Sequence, residues 1–164
     1  GMNSKYNGFD QIEYLINEIK NNPNSRRLII DLWNPCDFSK TALPPCVFMY
    51  QFFVQGDKLS CQLYQRSADS FPANHWNTTS CALFIHIIAH ICNLKPYKLH
   101  HITGDTHIYE IHKEQVEKQL LRNPKPFPKL IINRKVDEIN NFKFEDFSLV
   151  DYNPDKGIKA SIVA

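Results

Sequence analysis

Residues 47–65, VFMYQFFVQGDKLSCQLYQ, decide the fold class. Two runs rich in β-branched and aromatic residues, 47–54 and 59–65, flank Gln55-Gly56-Asp57-Lys58, and a Gly-Asp pair between such runs reads as the turn of a β-hairpin. On the C-terminal side, residues 78–93 (TTSCALFIHIIAHICN) are apolar nearly all round, which predicts a helix in the middle of a core, ended by Lys95-Pro96. Residues 99–109 then read as a strand with a loop, and 111–122 as an amphipathic helix. Residues 124–128 (PKPFP) are an extended break, and 129–134 and 158–163 read as strands. On the N-terminal side, 28–33 (LIIDLW) predicts a strand. Residues 10–21 predict a helix with Ile12, Leu15, Ile16 and Ile19 on one face, Asp10 as N-cap and Pro23 as the stop. Strands and helices mix without a regular βαβ alternation, so the expected class is α+β.

At 164 residues the chain is read as one domain, 1–164, long enough to bury a sizeable core. A net charge of +2 is too small to argue for a nucleic-acid polymer as partner, so any anion is bound by a few placed residues. No apolar run approaches the length of a membrane-spanning helix. The start, Gly1-Met2-Asn3-Ser4-Lys5, has no apolar core of a secretory signal, and Gly1 ahead of Met2 reads as a tag-cleavage scar with Met2 as the native start. The five cysteines are odd in number and contain no C-x-x-C pair, which argues against a disulfide framework or a zinc cluster and for a reduced, cytoplasmic setting. His86 and His90 have zinc-pair spacing, but no Glu follows His86 and no third ligand is evident, so they read as core histidines and no metal is expected.

Four clusters carry candidate chemistry. In Leu43-Pro44-Pro45-Cys46, two prolines fix the backbone ahead of a cysteine that opens a strand, a rigid junction suited to hold a nucleophile. The alternative is a buried, inert cysteine, which is also the reading of Cys36, Cys61, Cys81 and Cys92. Arg26-Arg27, entering a strand, are either a solvated pair or a fork for phosphate oxygens. In Gln65-Arg66-Ser67-Ala68-Asp69, Arg66 and Ser67 can hold a phosphate and Asp69 can accept from a ring N–H; taken alone, this is an ordinary strand exit. In Gly104-Asp105-Thr106-His107-Ile108-Tyr109, His107 and Tyr109 share a strand face and suit a sugar hydroxyl, with half-buried structural residues as the alternative.

Together these clusters resemble the thymidylate synthase family. The resemblance is carried by SRRLI (25–29), WNP (33–35), ALPPC (42–46), LSCQLYQRSAD (59–69), Asn77, GDTHIY (104–109), PFPKL (126–130), FEDF (144–147) and YNPDKGIK (152–159), from about residue 7 to the end. It implies an α+β fold layered around a mixed sheet, and a homodimer. It implies that Cys46 is the nucleophile that adds to C6 of the uracil ring of dUMP, so that C5 can attack the methylene group of 5,10-methylenetetrahydrofolate. Arg66 and Ser67, beside Gln65 in the nucleotide site, resemble phosphate ligands of the same subunit, and Arg26 and Arg27 resemble ligands from the other subunit. His107 and Tyr109 match the residues that bond the ribose 3′-hydroxyl. Asn77 matches the amide that reads O4 and N3 of uracil, and Asp69 the carboxylate that orients the pterin.

The chain also departs from the family pattern. Members ordinarily carry a further amino-terminal part with a phosphate-binding arginine loop, a tryptophan that packs on folate and a catalytic glutamate, and no residue here matches these. The resemblance therefore implies methyl transfer impaired by truncation. The alternatives are a catalytically weak nucleotide-binding module, or a half-protein completed by a second polypeptide. Val47 stands where a histidine commonly follows the nucleophile, and 70–77 read SFPANHWN, with Ala73 in place of a glycine. Loss of the cover is expected to leave part of the apolar helix 78–93 needing a partner surface.

Overall fold

The computed structural model describes residues 8–163; the tag scar expected at Gly1 and the start at Met2 lie outside the described residues. Helix α1 (Gln11–Asn21) is capped as expected. The Asp10 carboxylate accepts from the Ile12 and Glu13 backbone N–H groups, each at 3.0 Å, and so satisfies two first-turn donors. Leu15, Ile16 and Ile19 turn inward onto Leu28 and Ile30.

Four strands make the main sheet: β1 (Ile29–Asp31), β2 (Val47–Gln55), β3 (Lys58–Asp69) and β4 (Lys95–His107). They lie in that order, with β1–β2 and β2–β3 antiparallel and β3–β4 parallel, so the sheet is mixed. The β2–β3 hairpin closes at Gly56, whose φ of 60° is the left-handed conformation that glycine adopts without a steric cost. Helix α2 (Asn74–Ile91) carries the chain from the end of β3 to the start of β4, the crossover that a parallel pair requires. It buries Cys81, Ile85, Ile88, Ala89 and Ile91 in one cluster with Leu59, Cys61 and Leu63 of β3. Along β3 the odd-numbered residues 59–65 are buried under α2, while the opposite face is half-exposed.

Several boundaries differ from the sequence expectation. Helix α2 starts at Asn74, not at 78, so Asn77 lies inside its first turn. Lys95-Pro96 open β4 instead of only ending the helix; Pro96 is tolerated because β4 is an edge strand. The helix expected over 111–122 is a 3-10 turn, Glu110–His112, running into α3 (Lys113–Leu120). Residues 158–163 form no strand: Ile158 and Ala160 alternate inward, but the Ser161 carbonyl accepts from His112 Nε2 at 2.8 Å instead of joining a ladder. The partner of β5 (Lys129–Ile132) is β6 (Phe147–Val150), which the sequence reading missed. Alternation marks residues that suit a pleated surface, not which of them find a neighbour.

His90 proves structural: its Nε2 accepts from the Val136 N–H at 3.0 Å and its ring meets Phe142. Among the described residues no group of three His, Cys, Asp or Glu is placed to hold a metal ion, and no helix is long and apolar enough to cross a membrane. Among the described residues the most exposed large apolar side chains are Leu120, Leu121, Phe127 and Phe144, so the unpartnered apolar surface lies around α3 and the β5–β6 pair more than on α2.

Candidate active site

Cys46 stands directly before the first residue of β2 and is half-buried. Its carbonyl accepts from the Arg66 backbone N–H at 2.8 Å, which ties the end of the Leu43–Cys46 loop to β3. The Arg66 side chain then turns back along that loop. Its Nε donates to the Pro45 carbonyl at 2.9 Å and one terminal nitrogen donates to the Pro44 carbonyl at 2.7 Å. The prolines fix φ, and the guanidinium fixes their carbonyls, so the segment carrying the thiol is held from both sides. The guanidinium lies 5.4 Å from the Trp33 ring centre, and that ring packs on Phe38 and Phe48 at 4.9 and 5.8 Å. Two of the five N–H groups of Arg66 are committed to the loop, and the others remain for an anion.

The parallel register brings the other candidates to the same end of the sheet. Ser67 pairs with Asp105 and Asp69 with His107, and the Ser70 N–H donates to the His107 carbonyl at 2.9 Å. His107 Nδ1 lies 2.6 Å from Asp105 Oδ1. Tyr109 lies past the end of β4, so it meets His107 beyond the strand and not by strand parity; their ring centres are 5.0 Å apart. Asp69 Oδ1 accepts from the Phe71 N–H at 3.0 Å and closes a turn. Gly104 packs against Arg66: a Cβ there would lie 2.9 Å from the Arg66 carbonyl oxygen and 3.2 Å from the Tyr64 hydroxyl. The glycine of the GDTHIY stretch is therefore a close-approach residue between β3 and β4.

Gln65 is 1% exposed and sits in a hydrogen-bonded chain. Its Nε2 donates to the Ser67 carbonyl at 2.7 Å, and its Oε1 lies 3.0 Å from His101 Nε2. His101 Nδ1 lies 3.2 Å from the Thr78 hydroxyl, which is 3.0 Å from the Asn74 carbonyl in the first turn of α2. Burial pushes the His101 pKa below its ordinary value, favouring the neutral ring. The same turn carries Asn77, the exposed Trp76 and Asn74, whose side-chain oxygen is buried without a partner.

Arg26 and Arg27 are not brought to this cluster. They precede β1 and do not lie in a strand; both are exposed. Leu28, next along the chain, bonds Phe52 near the far end of β2. At roughly 3.3 Å per residue, the seven residues from Cys46 to Phe53 span about 23 Å. Sequence reasoning did not single out His101, Thr78, Trp33 or Asp105. One signal for His101 was available: strand parity places it on the face of Leu99 and Thr103, a polar ring turned inward.

With this geometry in place, comparison with known proteins is decisive. The sequence model of the family described as thymidylate synthase matches residues 2–164. The chain belongs to the thymidylate synthase family. It is 48% identical over 157 residues to the thymidylate synthase of Aster yellows witches'-broom phytoplasma (strain AYWB), an alignment covering 96% of this chain and 54% of that relative. The chain thus spans about half the length of the curated thymidylate synthase it matches. The α+β class and mixed sheet expected from the thymidylate synthase resemblance are those of the structure.

Proposed function

We propose that this chain carries the nucleotide-binding and nucleophilic part of a thymidylate synthase and acts in methyl transfer to C5 of dUMP. The observation that supports this most is the double anchoring of Pro44 and Pro45 by Arg66 behind Cys46, with Ser67, Asp69 and His107 delivered to the same sheet end. Arg66 and Ser67, next to Gln65, take the phosphate, and His107 with Tyr109 takes the ribose 3′-hydroxyl. Asn77 donates to O4 and accepts from N3–H, a pattern that suits uracil and not cytosine. The Cys46 thiolate adds to C6, which places charge on C5 and O4 and makes C5 nucleophilic. After transfer C5 loses its proton, and the Cys46 thiolate would leave C6 only as the transferred carbon is freed from its donor and reduced to methyl, so one difficult substitution becomes an addition and an elimination.

The residues present fit a folate. Asp69 offers a carboxylate acceptor for pterin N–H groups, Asn74 has a buried side-chain oxygen without a partner, and Trp76, in the same helical turn as Asn74, has an exposed ring. When bound, 5,10-methylenetetrahydrofolate supplies the one-carbon unit and its reducing electrons. Arg26 and Arg27, too far from Cys46 within one chain, serve the site of a second copy, which makes the functional unit a homodimer. A second polypeptide would cover the exposed Leu120, Leu121, Phe127 and Phe144. Five unpaired cysteines suit a reducing, cytoplasmic setting.

The test uses 5-bromo-dUMP with an added thiol and no folate. Addition of Cys46 at C6 loads C5, one thiol takes the bromine as a sulfenyl bromide and C5 is protonated. A second thiol then displaces bromide to give disulfide, and loss of Cys46 returns dUMP. Bromide release should require Cys46 and survive Cys61→Ser. A protein that binds the analogue yet releases no bromide above the thiol-only background would overturn the nucleophilic reading and leave a binding module.

A further inference from the structure

The hydrogen-bonded chain through Gln65, His101 and Thr78 joins two parts of the nucleotide site that are separate in sequence. One end is the Ser67 carbonyl at the exit of β3; the other is the Thr78 hydroxyl in α2, 3.0 Å from the Asn74 carbonyl of the first turn. Its members come from β3, β4 and α2, so it fixes how the three elements meet.

Its proton inventory is constrained. The Gln65 amide N–H is used on Ser67, so its Oε1 must accept, and His101 Nε2 must hold the proton that it accepts. A neutral ring then leaves the Nδ1 lone pair toward Thr78; the single hydroxyl proton of Thr78 goes either to that nitrogen or to the Asn74 carbonyl, not to both, and serving the ring leaves Asn74 to the backbone of its own helix. Gln65 is 1% exposed, so water cannot replace a missing partner, and an unpaired buried amide oxygen carries a desolvation penalty. The ring can satisfy both neighbours only in one orientation and one tautomer.

A single helical turn is nearly rigid, and residues 74 and 78 lie one above the other on it. Holding Thr78 against β4 therefore fixes the rotational phase of the turn that carries Asn77. We propose that His101 is a positioning residue for base recognition, acting through Thr78 on the first turn of α2 and through Gln65 on the exit of β3. This rests on the nucleotide-site reading above. His101 touches no substrate: it sets the angle at which the Asn77 amide meets the uracil edge.

The experiment measures dUMP and dCMP affinities by calorimetry, with 2-deoxyribose 5-phosphate as a base-free competitor. The proteins are the parent chain, His101→Phe, Thr78→Val and Thr78→Ser. His101→Phe and Thr78→Val should bring the dUMP-over-dCMP preference toward parity by about tenfold, the loss of one well-placed hydrogen bond. Thr78→Ser, which keeps the hydroxyl, should restore the parent preference, and the base-free phosphate should bind all four proteins alike. A general loss of packing would weaken the base-free ligand as much as dUMP, and that result overturns the proposal. So does an undiminished preference in Thr78→Val, which is isosteric and stands alone if His101→Phe fails to fold. A parent chain with no preference for dUMP defeats the nucleotide-site reading itself and takes this proposal with it. A parent with the preference and variants that keep it defeat the proposal alone.

Discussion

Replacing Gly104 by alanine sets two effects of opposite sign against each other. Alanine removes conformational freedom from the unfolded chain, which stabilises by about 0.4–1 kcal/mol where the backbone accepts it. Here the new methyl would sit 2.9 Å from the Arg66 carbonyl oxygen and 3.2 Å from the Tyr64 hydroxyl. The hydroxyl can move only by turning a ring whose edge packs on Phe48 at 5.8 Å. The carbonyl belongs to the β3 backbone and cannot swing aside, so the β3–β4 spacing must open. Overpacking of this kind costs about 1–3 kcal/mol, so the steric effect wins by roughly 1–2 kcal/mol. For a chain of this size that lowers Tm by about 5 °C. The displaced carbonyl is that of Arg66, so the loop before Cys46 shifts with it and bromide release from 5-bromo-dUMP falls as well. Thermal unfolding followed by circular dichroism, with Gly157→Ala as control, measures this; nothing lies within 4 Å of a Cβ at Gly157. If Tm of Gly104→Ala equals or exceeds that of the parent, close approach is not the reason for glycine at this position.

Asp10→Ala should cost about 1 kcal/mol, because two first-turn N–H groups of α1 lose their acceptor; an unchanged urea midpoint would contradict the capping role. Hydrogen bonds from Arg134 and the Lys143 N–H hold the Asp146 carboxyl below the usual carboxylate range. A depressed folded pKa contributes stability in full above the unfolded value of about 3.9 and loses it as pH falls through the folded value. Tm of the parent should therefore drop more steeply than that of Asp146→Asn below about pH 4, and parallel curves would refute the linkage. Under native conditions a thiol reagent should label Cys36 and Cys46 quickly, because Cys61 and Cys81 are fully buried and burial pushes the Cys92 thiol up to about 11. Prompt labelling of more than two thiols would show that the core opens readily.

The sequence made legible what depends on local pattern. The Gly56 turn, the Asp10 cap and the inward face of α1 follow from residue type and period, and the structure has each of them. The rigid entry to Cys46 was readable from its two prolines, but the use that Arg66 makes of their carbonyls was not, since residues 44 and 66 meet only once β2 and β3 pair. The start of α2 was hidden for a different reason. Ala73 offers no capping side chain, and Pro72 and the aromatic Trp76 look like loop, so nothing local announces a helix before Thr78. Helix formation there is favoured by the burial of Cys81, Ile85 and Ile88 farther along, and the early turn is carried with it.

Arg26 and Arg27 illustrate a different limit: residue type alone does not say which copy they serve, and only the family resemblance pointed to the other subunit. As a sequence, adjacent arginines ahead of a strand are compatible with phosphate binding in the same chain. The antiparallel register removes that option, because β1 enters the sheet beside the far end of β2 and Cys46 lies at the near end. Roughly 23 Å of β2 separates them, well beyond an arginine side chain, and the intervening strand is hydrogen-bonded on both sides. No loop movement shortens a paired strand. A contribution from these arginines to the Cys46 site therefore demands a second copy whose β1 end meets the first copy's β2 start, an arrangement that a two-fold axis supplies twice. Light scattering on a sizing column decides it: a dimer is expected at micromolar concentration. A monomer that still binds dUMP, with Arg26→Ala and Arg27→Ala leaving its affinity unchanged, would remove both residues from the site.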